Sequence, residues 1–121
     1  MKENVIQEKS FKFAIRIVNL YKYLIEEKKE FVLSKQVLRS GTSIGANVEE
    51  AIGSQTDKEF ITKITISQKE ARETRYWLKL LIETNYLTVE QTESLLNEIE
   101  EIIKIIAKIL ITMKRKLEMT N

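Results

Sequence analysis

Cysteine, histidine and proline are absent from this chain, and glycine occurs three times. Without cysteine there is no disulfide framework, no thiolate nucleophile and no zinc–thiolate site, so nothing requires an oxidising compartment. Without histidine the usual general base and the usual imidazole metal ligand are both missing. So little proline and glycine argues against a sandwich or barrel, which needs many turn residues, and suits long helices. Long apolar runs are missing too. The most apolar stretch, Ile102 to Ile111, is cut by Lys104 and Lys108, and the opening MKENVIQEKSF has no continuous apolar core. Neither a signal peptide nor a membrane span is expected, and the expected location is the cytoplasm. A large excess of one charge is also lacking, with 20 basic against 18 acidic residues.

What remains is 43% hydrophobic and 31% charged residues over 121 positions, enough for one core but not two. The expectation is a single domain over residues 1–121, all-α, folded as an antiparallel up-down-up-down four-helix bundle. The first helix is expected from about Ser10 to Glu27, with Phe13, Ile17, Leu20 and Leu24 on one stripe and Phe11, Ala14, Val18, Tyr21 and Ile25 beside it. Ser34 reads as the cap of a second helix that ends near Gly53. Thr56 with Glu59, and Thr88 with Gln91, read as capping boxes that open the third and fourth helices. The third helix has the seam Phe60, Ile64, Ser67, Ala71, Thr74, Leu78 and Leu81.

The fourth helix, expected to run to about Lys116, repeats Leu96, Ile99, Ile103, Ile106, Leu110, Met113 and Leu117, with Leu95, Ile102, Ile105 and Ile109 alongside. That arc is wider than the roughly 100° needed to face one core. Exposed isoleucine on this scale would invite aggregation, so Ile102, Ile105 and Ile109 are expected at an interface between copies of the chain. The same helix has the look of a cationic membrane-surface helix, which core and interface together explain better.

Three polar constellations stand out. Arg39, Ser43, Asn47 and Glu50 share one flank of the second helix and read either as a polar network at a contact or as a solvated surface. Gly41 and Gly45 favour a contact, because each costs about 1 kcal/mol relative to alanine in a helix interior unless another backbone comes close. Glu70 and Glu73, with Trp77 on the same side, place carboxylates at the edge of the buried arc. A di-metal bundle site would put histidine beside such glutamates, so pairing with Arg39 or Lys63 is the expectation, with no metal and no cofactor. No motif arranges the remaining serine, threonine, lysine and carboxylate groups for catalysis, and no enzyme is expected. Finally, Lys58, Thr62, Thr65, Lys69, Arg72, Tyr76 and Lys79 form a basic track with an aromatic inside it, opposite the third helix's seam. Such a track could meet RNA phosphates and a base, and is also what any exposed helix face looks like.

The run RSGTSIGANVEEA, then KEFITKI, then KEARETRYWLKLL, resembles the four-helix-bundle family encoded by intervening sequences within bacterial 23S ribosomal RNA genes. Arg39, Ser43, Ile44, Asn47 and Glu50, with Lys69, Glu70, Ala71, Glu73, Thr74 and Trp77, carry the likeness, which spans nearly the whole chain. Many relatives have proline and a later glycine where this chain has Gly45 and Ala51, so it is similar to the branch written Gly-Ala-Asn. The family is similar in fold to the accessory variability proteins of retroelements, which form pentameric barrels with a reverse transcriptase and nucleic acid. The resemblance therefore implies a homo-oligomer, a pentamer, with no enzymatic activity and no cofactor. Its partners would be ribosomal or other structured RNA, through Lys58, Lys69, Arg72, Tyr76 and Lys79, or alternatively a protein bound by an oligomeric scaffold without specific RNA affinity.

Overall fold

Helical periodicity with few breakers yields four helices in the computed structural model, which describes the backbone of residues 3–120 and the side chains of 5–119. Residues 1, 2 and 121, part of the expected single domain and of the opening stretch, lie outside the described residues. The helices are α1 (Glu3–Glu26), α2 (Leu33–Ile52), α3 (Asp57–Glu83) and α4 (Val89–Thr120). Each packs on its two neighbours in a square, α1 on α2, α2 on α3, α3 on α4 and α4 on α1, with no close diagonal approach of backbones among the described residues. Polar ties give the directions. Gln7 of α1 donates to Glu49 of α2, Lys63 of α3 pairs with Glu50 of α2, and Asp57 of α3 pairs with Lys116 of α4. The early part of one helix therefore meets the late part of the next throughout, and the chain is an all-α, up-down-up-down four-helix bundle.

The core follows the apolar stripes. Phe13, Ile17 and Leu24 of α1, Val37, Ile44 and Val48 of α2, Ile64, Leu78 and Leu81 of α3, and Ile99, Ile102 and Ile106 of α4 are all buried. The α3 seam appears as expected except for Phe60, which is half-buried. In the α2–α3 contact small residues bring the helices close, and their hydroxyls are satisfied across it. Ser67 donates to the Ile44 carbonyl at 2.9 Å, and Thr74 donates to Ser40 at 2.9 Å. The two helical glycines serve the α1–α2 contact. A Cβ on Gly41 would lie 2.7 Å from Cγ2 of Ile17, and one on Gly45 would lie 3.3 Å from the Ser10 carbonyl oxygen. The close approach they permit is to α1 of the same chain.

Three expectations are corrected here. Helix α1 begins at Glu3 rather than near Ser10, and Ser10 is a buried small residue at the crossing with Gly45, its hydroxyl donating to the Gln7 carbonyl. Ser34 does not cap α2 with its side chain. The buried Glu30 carboxylate accepts the N–H groups of Val32, Leu33 and Ser34, while the Ser34 hydroxyl donates to the Glu30 carbonyl. A carboxylate at a helix start offsets both the free N–H groups and the macrodipole. Ile102 is 1% exposed and packed within its own chain, so it does not face another copy. Because α4 lies against both α3 and α1, it uses two apolar stripes inside one bundle, and the wide arc alone does not demand a subunit interface. Ile105 and Ile109 are half-buried at its edge.

The loops match their helices. Thr88 and Gln91 form a reciprocal capping box, whereas Glu59 reaches past Thr56 to accept the Gln55 N–H. Asn85, at φ 69°, ends α3 in the left-handed conformation, with the Tyr86 N–H on the Leu81 carbonyl and the Asn85 N–H on the Ile82 carbonyl. Lys29 follows α1 at φ 54°.

At 32 residues α4 is about 48 Å long against about 36 Å for the 24-residue α1. Its C-terminal turns continue past the start of α1. There the bundle opens into an apolar groove of about 680 Å³ lined by Ile6, Val48, Ile52, Phe60, Ile64, Lys108, Ile109, Thr112 and Met113. Among the described residues no helix is long and apolar enough to cross a membrane.

Candidate nucleic-acid interface

The stripe of α3 opposite its seam faces solvent in the single chain, because among the described residues α3 packs only on α2 and α4. Lys58, Lys69, Arg72, Tyr76 and Lys79 are all exposed there. Between them, Thr62 and Thr65 turn their hydroxyls back onto the Lys58 and Ile61 carbonyls, so these satisfy their own helix. From Lys58 to Lys79 the stripe runs about 31 Å at the helical rise.

Charge sorts by position. The cations flanking the stripe are neutralised: Lys63 by Glu50 at 2.8 Å, Arg75 by Glu100, and Arg39 by Glu70 and Glu73. Among the described residues, none of Lys58, Lys69, Arg72 and Lys79 has a carboxylate within ion-pair distance. Lys104 of α4, which in the sequence only interrupts an apolar run, is likewise exposed and unpaired among those residues. The Glu100 carboxyl is held below its ordinary value of 4.5, first by the Arg75 hydrogen bond, which outweighs desolvation, and then to a lesser degree by the charges of Arg75, Lys79 and Lys104. That carboxylate sits at the margin of a positive face. Only the folded structure brings Lys104 there, since its helix periodicity marks it merely as exposed.

The polar flank of α2 divides in two. Its ends cross to α3, with Arg39 Nη1 donating to Glu70 Oε1 at 3.3 Å, Arg39 Nη2 donating to Glu73 and to Gln36, and Glu50 pairing with Lys63. Its middle does not cross: Ser43 donates to the Arg39 carbonyl and Asn47 to the Ser43 carbonyl, both within α2. Glu73 also accepts the Trp77 indole N–H at 2.9 Å, so one carboxylate holds an arginine of α2 and a tryptophan of α3. Tyr76 then packs on Trp77 with ring centroids 5.1 Å apart at 74°, the edge-to-face geometry that aromatic quadrupoles prefer. Sequence spacing does not suggest this last contact. Tyr76 and Trp77 point about 100° apart on a helix wheel, and only ring size lets them meet. Both Glu70 and Glu73 are thus engaged by Arg39, and no group of three or more potential metal-ligating side chains occurs among the described residues.

Apolar exposure lies elsewhere. Val5, Phe11 and Ile15 of α1 are exposed, Phe11 at 65%, as are Ile111 and Met119 near the end of α4. Phe11, expected beside the core stripe, stands at the rim of the α1–α2 groove with Ala14, Thr42, Gly45 and Ala46.

Among curated proteins nothing matches the chain. Among solved structures, a protein of unknown function from the S23 ribosomal protein family of Bacteroides thetaiotaomicron VPI-5482 superposes with a TM-score of 0.89. It is 58% identical, and the match covers 91% of this chain and 98% of that one. The model of one family, 23S rRNA-intervening sequence protein, matches residues 2–108, which takes in all of α1 to α3 and most of α4. By that match, and by the bundle just described, the chain belongs to the 23S rRNA-intervening sequence protein family.

Proposed function

We propose that this protein is a non-catalytic, RNA-associated accessory protein that works in the cytoplasm as a homo-oligomer, with the exposed α3 stripe as its RNA contact. One observation carries the reading: cations on the flanks of α3 are paired, while Lys58, Lys69, Arg72 and Lys79 on its outer stripe have no carboxylate partner among the described residues. Unpaired cations in a row are what a phosphate backbone releases counterions to meet. The family's link to 23S ribosomal RNA supports RNA as the polyanion, and structured ribosomal RNA as the first to try. Sequence readout is not part of the proposal, because lysine and arginine on an exposed helix position a backbone without reading bases.

Self-association is supported by the exposed apolar residues Val5, Phe11 and Ile15 and by the groove at Ile109 and Met113. A closed ring of five would repeat the stripe on every subunit and raise avidity. Filter binding of a mixed ribosomal RNA pool at two salt concentrations tests the RNA contact. Binding should weaken steeply with salt, and Lys69→Glu, Arg72→Glu and Lys79→Glu together should abolish it while helicity and oligomer size stay unchanged. Undetectable native binding at low salt, or an unchanged affinity in the triple variant, would transfer the argument to the second reading. That reading is a homo-oligomeric protein-binding scaffold, favoured by the same apolar exposure of Phe11 and Ile15.

A further inference from the structure

Charge does not account for Tyr76. On a face that needs only cations to hold a phosphate backbone, a tyrosine is 59% exposed between Arg72, one turn before it, and Lys79, one turn after. Its hydroxyl has no hydrogen-bond partner among the described residues, so a polar tether is not what places it there. We infer that Tyr76 stacks on an unpaired base, so that the α3 face takes single-stranded RNA in preference to duplex; this rests on reading that face as an RNA contact.

The ring is held before any ligand arrives. Trp77 supports it at 5.1 Å, the Trp77 indole N–H is fixed on Glu73, and Glu73 is gripped by Arg39 from the neighbouring helix. A braced ring that keeps more than half its surface in solvent loses little freedom when a base lies on it. Trp77 is therefore a positioning residue, acting through Tyr76. The choice of single strand follows from access. In an RNA duplex the base faces are covered by their neighbours and the major groove is too deep and narrow for side chains to read, so a convex helix face meets backbone, 2′-hydroxyls and base edges there but no base face to stack on. A single strand can turn a base onto Tyr76 while its flanking phosphates meet Arg72 and Lys79, and any base will serve because every base has a π-face.

The test compares an oligoadenylate with an RNA duplex of equal charge, both binding the full chain, with affinity read by anisotropy and by emission of Trp77, the chain's single tryptophan. Tyr76→Ala should weaken oligoadenylate binding about tenfold and leave duplex affinity and the salt slope unchanged. Tyr76→Phe should bind as the native chain does, and oligoadenylate should change Trp77 emission in the native chain and the phenylalanine variant but not in the alanine variant. Matching helicity of all three proteins guards against misfolding. Equal losses on both RNAs, or no loss on either, would overturn the stacking role while leaving the RNA contact standing. Failure of the native chain to bind either RNA at low salt would overturn both together.

Discussion

Replacing Gly41 with alanine sets two effects of known sign against each other. Alanine favours a helix interior over glycine by about 1 kcal/mol, so on an unpacked surface the change would stabilise. In this bundle the new methyl would lie 2.7 and 2.8 Å from the two γ-carbons of Ile17 and 3.2 Å from its β-carbon. That is roughly 1 Å inside the optimal carbon–carbon separation of about 3.5–4.0 Å. Ile17 cannot swing aside, being β-branched, held in one rotamer by its helix, and wholly buried. Overpacking costs about 1–3 kcal/mol, and with two contacts below 3 Å the upper part of that range, about 2–3 kcal/mol, applies. Net of the propensity gain, the expectation is a destabilisation of about 1–2 kcal/mol. Gly45→Ala, with its nearest contact at 3.3 Å, should stay within about 1 kcal/mol of native. Ile17→Ala alone should cost about 2–5 kcal/mol by leaving a cavity. In that background Gly41→Ala meets no γ-carbon, keeps its propensity gain and refills part of the void, so it should stabilise by about 1 kcal/mol. A coupling of about 2–3 kcal/mol between the two sites would appear in urea midpoints at fixed protein concentration and constant m. If Gly41→Ala proved more stable than native, or the two changes added without coupling, the α1–α2 crossing would not be where it is described.

Other perturbations follow from the same contacts. Glu73→Ala should cost about 1–2 kcal/mol in chemical denaturation, because it strands the half-buried Trp77 indole N–H and leaves Arg39 only Glu70 and Gln36. Glu70→Ala should cost no more than about 1 kcal/mol, since Arg39 is half exposed and retains Glu73; a larger loss at Glu70 than at Glu73 would refute this ordering. Lys29→Gly should stabilise by about 0.5 kcal/mol, and Lys29→Val should cost about 1 kcal/mol or more, both read by thermal melting, because only glycine holds φ 54° without a β-carbon penalty. Ile102→Glu should abolish helical circular dichroism outright, whereas Ile109→Glu, at the rim of the groove, should leave the bundle folded; equal tolerance of both would place Ile102 at a surface.

Periodicity made the four helices and most of the core legible, since Ile64, Ser67, Ala71, Thr74, Leu78 and Leu81 carry a regular four-and-three spacing straight into the α3 seam. The glycines were legible for a different reason: a conformational cost with no local return signals a neighbour, and Ile17 and Ser10 are that neighbour. Spacing could not say how many neighbours α4 has. A helix touching two others inside a bundle shows the same broad stripe as one touching a bundle and a second copy, which is why Ile102 read as an interface residue. Nor could spacing show the Glu30 cap, because its carboxylate lies in the loop and reaches forward to three N–H groups. On the candidate face, the stripe from Lys58 to Lys79 was visible in sequence. Which cations find a carboxylate depends on α2 and α4, so the difference between paired Lys63 and unpaired Lys69 emerges only on folding.

The square arrangement also orders events in time. Three of its four contacts join consecutive helices, and Ser67 with Ile44, for example, closes a separation of only 23 residues. The remaining contact joins the two ends of the chain: Lys9 with Glu101, 92 residues apart, Arg16 with Glu98 and Ser94, and Tyr23 with Gln91. Loop-closure entropy rises with the logarithm of separation, so closing that last seam from an open chain costs about 1 kcal/mol more than closing a hairpin. Once the three hairpins are zipped, most of that loop is already ordered, so α1 and α4 are expected to meet last. The same seam is the natural place for the square to part again. Its polar ties lie at the surface, and amide protons of α1 facing α4 would then exchange by an opening that leaves the α2–α3 hairpin, with its buried hydroxyl bridges, still protected.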